Sequence, residues 1–155
     1  MALDAIAARV AGTPLATWAA ESSVAYPAAN VLHLLGLVLL LGGIGLVDLR
    51  LIGLFRALPL QPLARALTPL GVAGVVILAA SGAVMFAADP AVTNNATFRT
   101  KLVLIAVALI NAAAFRLLYG RSSADPAPLP ARLMGLASLA LWLAVAYHGR
   151  MIAYS

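Results

Sequence analysis

The residues most able to do chemistry in this chain are two imidazoles. His33 and His148 are its only histidines, and each stands inside a long apolar run. An ionisable side chain in such a run is costly, so it reads as functional by default. His33 follows Pro27 by six residues, and His148 precedes the end of the last run by a similar distance. If the chain crosses a membrane four times, the first run goes inward and the last comes outward. Both rings then fall on one side, each about 10 Å below the surface at the helical rise. Two imidazoles at one depth on two helices are what a bis-histidine haem b requires. The iron takes an axial ligand on each face of the ring, and neutral imidazole is a common one.

The neighbouring residues fit that chemistry. Gly36 lies one turn after His33, Gly43 continues the same side, and Ala144 lies one turn before His148. Small residues let a flat ring lie close to a helix. Arg99, Lys101 and Arg150 stand at the matching end, where haem propionates need cations. Tyr26, Asn30 and Tyr147 are placed to hydrogen-bond a ligand imidazole through its second nitrogen. Blander readings stand beside these. Glycine serves close helix packing in membranes, and an intramembrane histidine can simply bond a neighbouring helix. A third reading is copper, because Met85 and Met151 lie near the same end and thioether plus imidazole suits Cu(I). Met also fills apolar gaps. Zinc fits less well, since no Cys, and no well-placed Asp or Glu, completes a tetrahedral set.

Other polar residues offer less. Asp48, in Val47-Asp48-Leu49-Arg50, is able to accept a proton, but pairing with Arg50, Arg116 or Arg132 is the expectation. Asn111 and Ser81 are expected to bond between helices. The chain lacks a phosphate loop, a Gly-x-Ser-x-Gly element and an HExxH pair. It also lacks cysteine, which excludes disulfides, thiolate metal sites and covalent haem attachment.

The elements that must position these groups follow from composition. Of 155 residues, 64% are apolar and 10% charged, against about 45–50% and about 25% in ordinary soluble domains. Such a chain is a membrane protein, folded as an all-α four-helix bundle. A span needs about 20 apolar residues. The sequence offers four, at about 24–47, 66–88, 98–119 and 131–153, forming one domain over 24–155. The third is the shortest: only Leu102–Phe115 is uncharged, and it reaches full length if Lys101 and Arg116 snorkel, with Phe98 and Tyr119 at the interfaces. The Pro-rich segment Asp125–Pro130 reads as a loop. The first twenty residues of the N-terminal segment 1–23 make a poor signal peptide, because Asp4 and Arg9 are misplaced for one. Leu3, Ile6, Val10 and Trp18 instead suggest an amphipathic surface helix, with a poorly ordered terminus as the other reading.

The net charge is +5, but the ten basic residues are scattered, so nucleic acid is not an expected partner. Arg9, Arg99, Lys101 and Arg150 fall on one side of four spans. Arg50, Arg56, Arg65, Arg116, Arg121 and Arg132 fall on the other. That bias points to cytoplasmic loops around the second set and both termini in the periplasm, with a bacterial inner membrane as the default location.

The stretch Tyr26-Pro-Ala-Ala-Asn-Val-Leu-His33-Leu-Leu-Gly36, continuing through Gly42, Gly43 and Asp48-Leu-Arg50-Leu, resembles a group of small bacterial four-span membrane proteins catalogued as a domain of unknown function. Phe98-Arg-Thr-Lys-Leu and His148-Gly-Arg150 are compatible with it. The resemblance covers most of the chain and implies an inner-membrane protein without an assigned activity. More distantly, the His-bearing bundle is similar to four-helix b-type cytochromes and to copper-resistance membrane proteins. The di-haem cytochromes use four histidines, whereas this chain has two.

The leading expectation is therefore a single-haem cytochrome exchanging one electron with a quinol or a periplasmic protein, as an electron-transfer subunit more than a complete enzyme. Its cofactor set would be His33 and His148 as metal ligands with Gly36, Arg99, Lys101 and Arg150 around them. The alternatives are an accessory subunit of a larger respiratory or photosynthetic complex, or a homo-oligomer, with no cofactor, and a copper-handling protein.

Overall fold

A computed structural model describes residues 2–120 and 124–154, and among these every regular element is helical. Arg121 lies outside the described residues. The chain begins with two short helices, α1 (Ala2–Ala11) and α2 (Pro14–Glu21). Thr13 makes the break between them. Its Oγ1 donates to the Val10 carbonyl at 2.7 Å and accepts from the Ala16 N–H at 3.3 Å, and Pro14 occupies the first helical turn, where its missing N–H does no harm. Ala7, Ala16 and Ala19 are buried, while Ile6 and Trp18 are 50% and 55% exposed. The small side chains thus face the bundle, and the large apolar ones face away, as on a helix lying in a membrane surface.

Four helices are long and apolar enough to cross a membrane: α3 (Ala25–Ile52), α4 (Leu60–Ala88), α5 (Ala96–Tyr119) and α6 (Leu129–Met151, running on as a 3-10 turn to Tyr154). Their outer faces carry exposed Val31, Val38, Val76, Val103, Ile110 and Leu143. A soluble protein would not leave so much apolar surface open. The protein is a multi-pass membrane protein whose helices contact lipid.

The expected spans match these helices, with two shifts. The first helix does not end near Val47 but continues through Asp48 and Arg50 to Ile52. Gly53 stops it, in the left-handed region at φ 111°, which glycine adopts at little cost. The second helix starts at Leu60 rather than Ala66, because Pro62 is tolerated in a first turn. Pro69 lies inside it. The third helix is continuous and Arg116 is exposed near its end, but Lys101 does not snorkel as expected: it turns inward, its Nζ against Gly149. The helix is capped by Asn95, whose Oδ1 accepts from the N–H groups of Thr97 and Phe98 at 2.8 and 3.3 Å. The Pro-rich loop ends earlier than expected, since Leu129 and Pro130 already belong to α6.

The helices pack as two antiparallel pairs, α3 with α4 and α5 with α6. In the first pair the backbones touch. A Cβ on Gly74 would lie 2.6 Å from the Gly36 carbonyl oxygen, and one on Gly43 would lie 2.6 Å from the Gly71 nitrogen. Only glycine allows that approach. Leu41–Gly45 is a π-helical turn at this crossing. The two pairs approach backbone to backbone where the end of α3 meets the start of α6. There a Cβ on Gly135 would sit 2.8 Å from Leu51 Cδ2. At mid-height the pairs are joined by side chains instead: Leu40, Ala108, Trp142 and Val145 form the buried core, with Ile44, Leu78, Leu104 and Ile105 packed on it.

Arg50 closes the end where the pairs meet. It is 5% exposed. Its Nε donates to the Leu58 carbonyl at 2.6 Å, and its Nη2 holds both oxygens of Asp125 at 2.7 and 3.0 Å. Arg132 donates to the Ile52 carbonyl at 3.0 Å. The loops after α3 and before α6 are thereby tied to one helix end.

Candidate metal-ligand site at the histidine end

Opposite that closed end, the chain direction brings together the start of α3, the end of α4, the start of α5 and the end of α6. His33 is eight residues into α3, about 12 Å along it, and His148 is three residues from the end of α6, about 5 Å along it. Both are half-buried. The rings share one end of the bundle, though not an equal distance along their own helices.

Each ring has its Nδ1 fixed by an oxygen. His33 Nδ1 lies 2.9 Å from Ser81 Oγ on α4. Ser81 has one hydroxyl hydrogen, and it points to the Ile77 carbonyl at 2.6 Å. Ser81 Oγ is therefore the acceptor, and His33 donates its Nδ1–H. His148 Nδ1 lies 3.0 Å from the Ala144 carbonyl oxygen, one turn back on α6. A carbonyl only accepts, so His148 also donates from Nδ1. In the neutral state both imidazoles carry the proton on Nδ1 and keep a lone pair on Nε2. This is how a second hydrogen bond prepares a histidine to bind a metal.

Ser81 was expected to bond between helices, and it does so to His33. Its partner is 48 positions away, a pairing set by the rotation of α4 against α3. Gly82 is a further residue that the sequence reading missed. A Cβ there would lie 3.4 Å from His33 Cε1, an ordinary contact, so the ring packs directly against α4 at this position. The hydrogen-bonding roles expected of Tyr26, Asn30 and Tyr147 are not seen. Tyr26 and Asn30 are exposed, and Tyr147 meets His148 only edge to face, at 5.5 Å between ring centres. Gly36 and Gly43 are taken up by the crossing with α4, which fills the space a flat ring would need beside them.

The cations separate in the same way. Arg99 donates to the Thr93 carbonyl at 2.6 Å and faces Asp4 at 3.4 Å, which ties α1 to the turn Pro90–Asn94. Arg150 donates to the Tyr154 hydroxyl at 2.6 Å and lies over its ring. Lys101 turns inward. A Cβ on Gly149 would meet its Nζ at 3.2 Å, so the ammonium lies against the backbone next to His148. It is also within electrostatic reach of His33. No carboxylate among the described residues pairs with it. Phe86 and Phe98 stack at 6.1 Å and join α4 to α5 at this end.

Met85 and Met151 are half-buried near this end. Among the described residues no group of three His, Cys, Asp or Glu side chains is gathered to hold a metal ion.

The family described as a family of unknown function, DUF6644, has a model that matches residues 20–155, so the chain belongs to it. Neither the curated proteins nor the solved structures give a match.

Proposed function

We propose that this DUF6644 protein is a single-haem b-type membrane cytochrome that passes one electron to and from a quinol or a periplasmic redox protein. One observation supports the reading: at the same end of the bundle both histidines commit Nδ1 to an oxygen, which in the neutral tautomer places the lone pair on Nε2. His33 and His148 would hold the haem iron in this proposal. When bound, haem supplies the one-electron couple. The chain does the rest. Ser81 and the Ala144 carbonyl fix the tautomer and the ring orientation, and hydrogen bonding from Nδ1 makes Nε2 a better donor. Lys101, unpaired and turned inward, is the cation suited to a propionate, a part for which Arg99 and Arg150 are otherwise engaged. The location is a bacterial inner membrane with the histidine end outward, on the arginine bias of the loops at the other end. A single haem near one face does not wire a core about 30 Å thick, so the protein acts at one surface or beside a partner.

A second reading has an observation behind it. The His33–Ser81 bond joins α3 to α4, which is what a purely structural histidine in an accessory subunit would do. It leaves His148 unexplained, because among the described residues that ring's hydrogen bond goes to its own helix.

The test is a reduced-minus-oxidised visible spectrum of the protein purified in mild detergent, with metal analysis on the same sample. The cytochrome reading expects a sharp Soret shift and one iron per chain. Stoichiometric copper with a featureless spectrum would favour the copper alternative, and neither metal would favour the accessory subunit.

A further inference from the structure

Asp48 takes no part in the site above and lies toward the other end of α3, four residues before its last residue, Ile52. Its residue surface is 7% exposed, and its Oδ2 is fully buried without a hydrogen-bond partner. The expected arginine partners are engaged elsewhere or absent. Arg50 holds Asp125, Arg132 holds the Ile52 carbonyl, and Arg116 is exposed on α5 without an ion pair to it. Ser138 of α6, itself buried, is the polar side chain that bears on the carboxyl, and among the described residues no charged group on α4, α5 or α6 does so. Gly135 brings the α6 backbone close to the Asp48 main-chain carbonyl, so α6 packs directly on this turn of α3. Asn111 of α5 spends its amide on the Met134 carbonyl.

An ionised carboxylate with an orphan oxygen in a membrane interior is among the costliest arrangements a protein can hold. A metal cation does not resolve it. Magnesium and calcium want six or more oxygens, and Asp48 with Ser138 falls far short. A proton needs one oxygen only. We propose that Asp48 is a proton-binding site, its Oδ2 carrying a solvent-derived proton at neutral pH as a neutral carboxylic acid inside the bundle. The bond formed is Oδ2–H, the negative charge is neutralised, and no electron moves. The site is independent of haem and stands at the opposite end from the histidines.

Infrared difference spectroscopy of the whole protein in lipid vesicles tests this, with aspartate carbon-13 labelled at the carboxyl. At neutral pH the labelled protein should show one carboxylic-acid C=O band that moves with the isotope and with exchange into D2O. Asp48→Asn should remove it. The labelled wild type answers the question even if the variant folds poorly. The absence of any labelled carboxylic band at neutral pH would overturn the proposal, as would a band that survives Asp48→Asn. Conversion of the band to a carboxylate signal on adding sodium or potassium at constant pH would also overturn it, in favour of an alkali-cation site.

Discussion

Ser81 has a single hydrogen, and its destination decides what His33 can do. Because it goes to the Ile77 carbonyl, the neutral imidazole carries its proton on Nδ1 and its lone pair on Nε2. If that preparation matters, Ser81→Ala should weaken haem binding by about 10–100-fold, the usual effect of losing such a partner, measured by titrating haem into the apoprotein. His33 itself should remain, and its own removal should abolish binding. Gly82→Val should act in the same direction by crowding the ring. At this scale the sequence was partly legible. Two histidines in apolar runs stand out in any reading. Ser81 and Gly82 do not, because their value comes from the angle at which α4 crosses α3, and that angle is written in glycines rather than in polar residues. The same reasoning explains the expectation for Gly36. A small residue one turn from a histidine suits a ring or a helix equally, and α4 occupies the space.

The helices themselves obey simpler rules. Apolar runs of about 20 residues locate spans, and four were readable on that basis. Their ends were not. Charged Asp48 and Arg50 look like the end of a span, but both are buried, and the helix runs on until Gly53. Pro62 looks like a breaker, but it stands in a first turn. The crossing of α3 and α4 rests on Gly36, Gly43, Gly71 and Gly74; an added methyl would strike backbone atoms at Gly43 and Gly74, and the side chains of Leu78 and Ile44 first at Gly36 and Gly71. Gly74→Ala should therefore cost about 1–3 kcal/mol, the usual penalty of overpacking, with Gly42→Ala as a control, since a Cβ there meets nothing within 4 Å. Asn95→Ala should cost about 1 kcal/mol through loss of the α5 cap. Unfolding followed by circular dichroism in detergent reads both.

Across the whole molecule, two helix pairs are clamped at one end and joined by side chains toward the other. The clamp depends on Arg50, which binds the loop after α3 and the loop before α6 at once. Arg50→Ala should cost about 2 kcal/mol, the order expected for hydrogen bonds to a charged group, with the Asp125 side being partly exposed. The same variant should leave the histidine end unchanged if the two ends are independent, so its haem spectrum should match the wild type. None of this long-range arrangement was legible from the chain. The pairing of helices depends on which faces carry glycine, and hydropathy treats all faces of a lipid-exposed helix alike.

The central claim is that one iron is held by the imidazoles of His33 and His148. Low-temperature electron paramagnetic resonance of the oxidised protein tests it most directly, on the wild type and on His33→Ala and His148→Ala separately. Our account predicts a low-spin signal of two imidazole ligands in the wild type, replaced in each variant by a high-spin signal or by loss of haem. A wild type without haem would contradict it. So would a low-spin signal that persists unchanged in either variant.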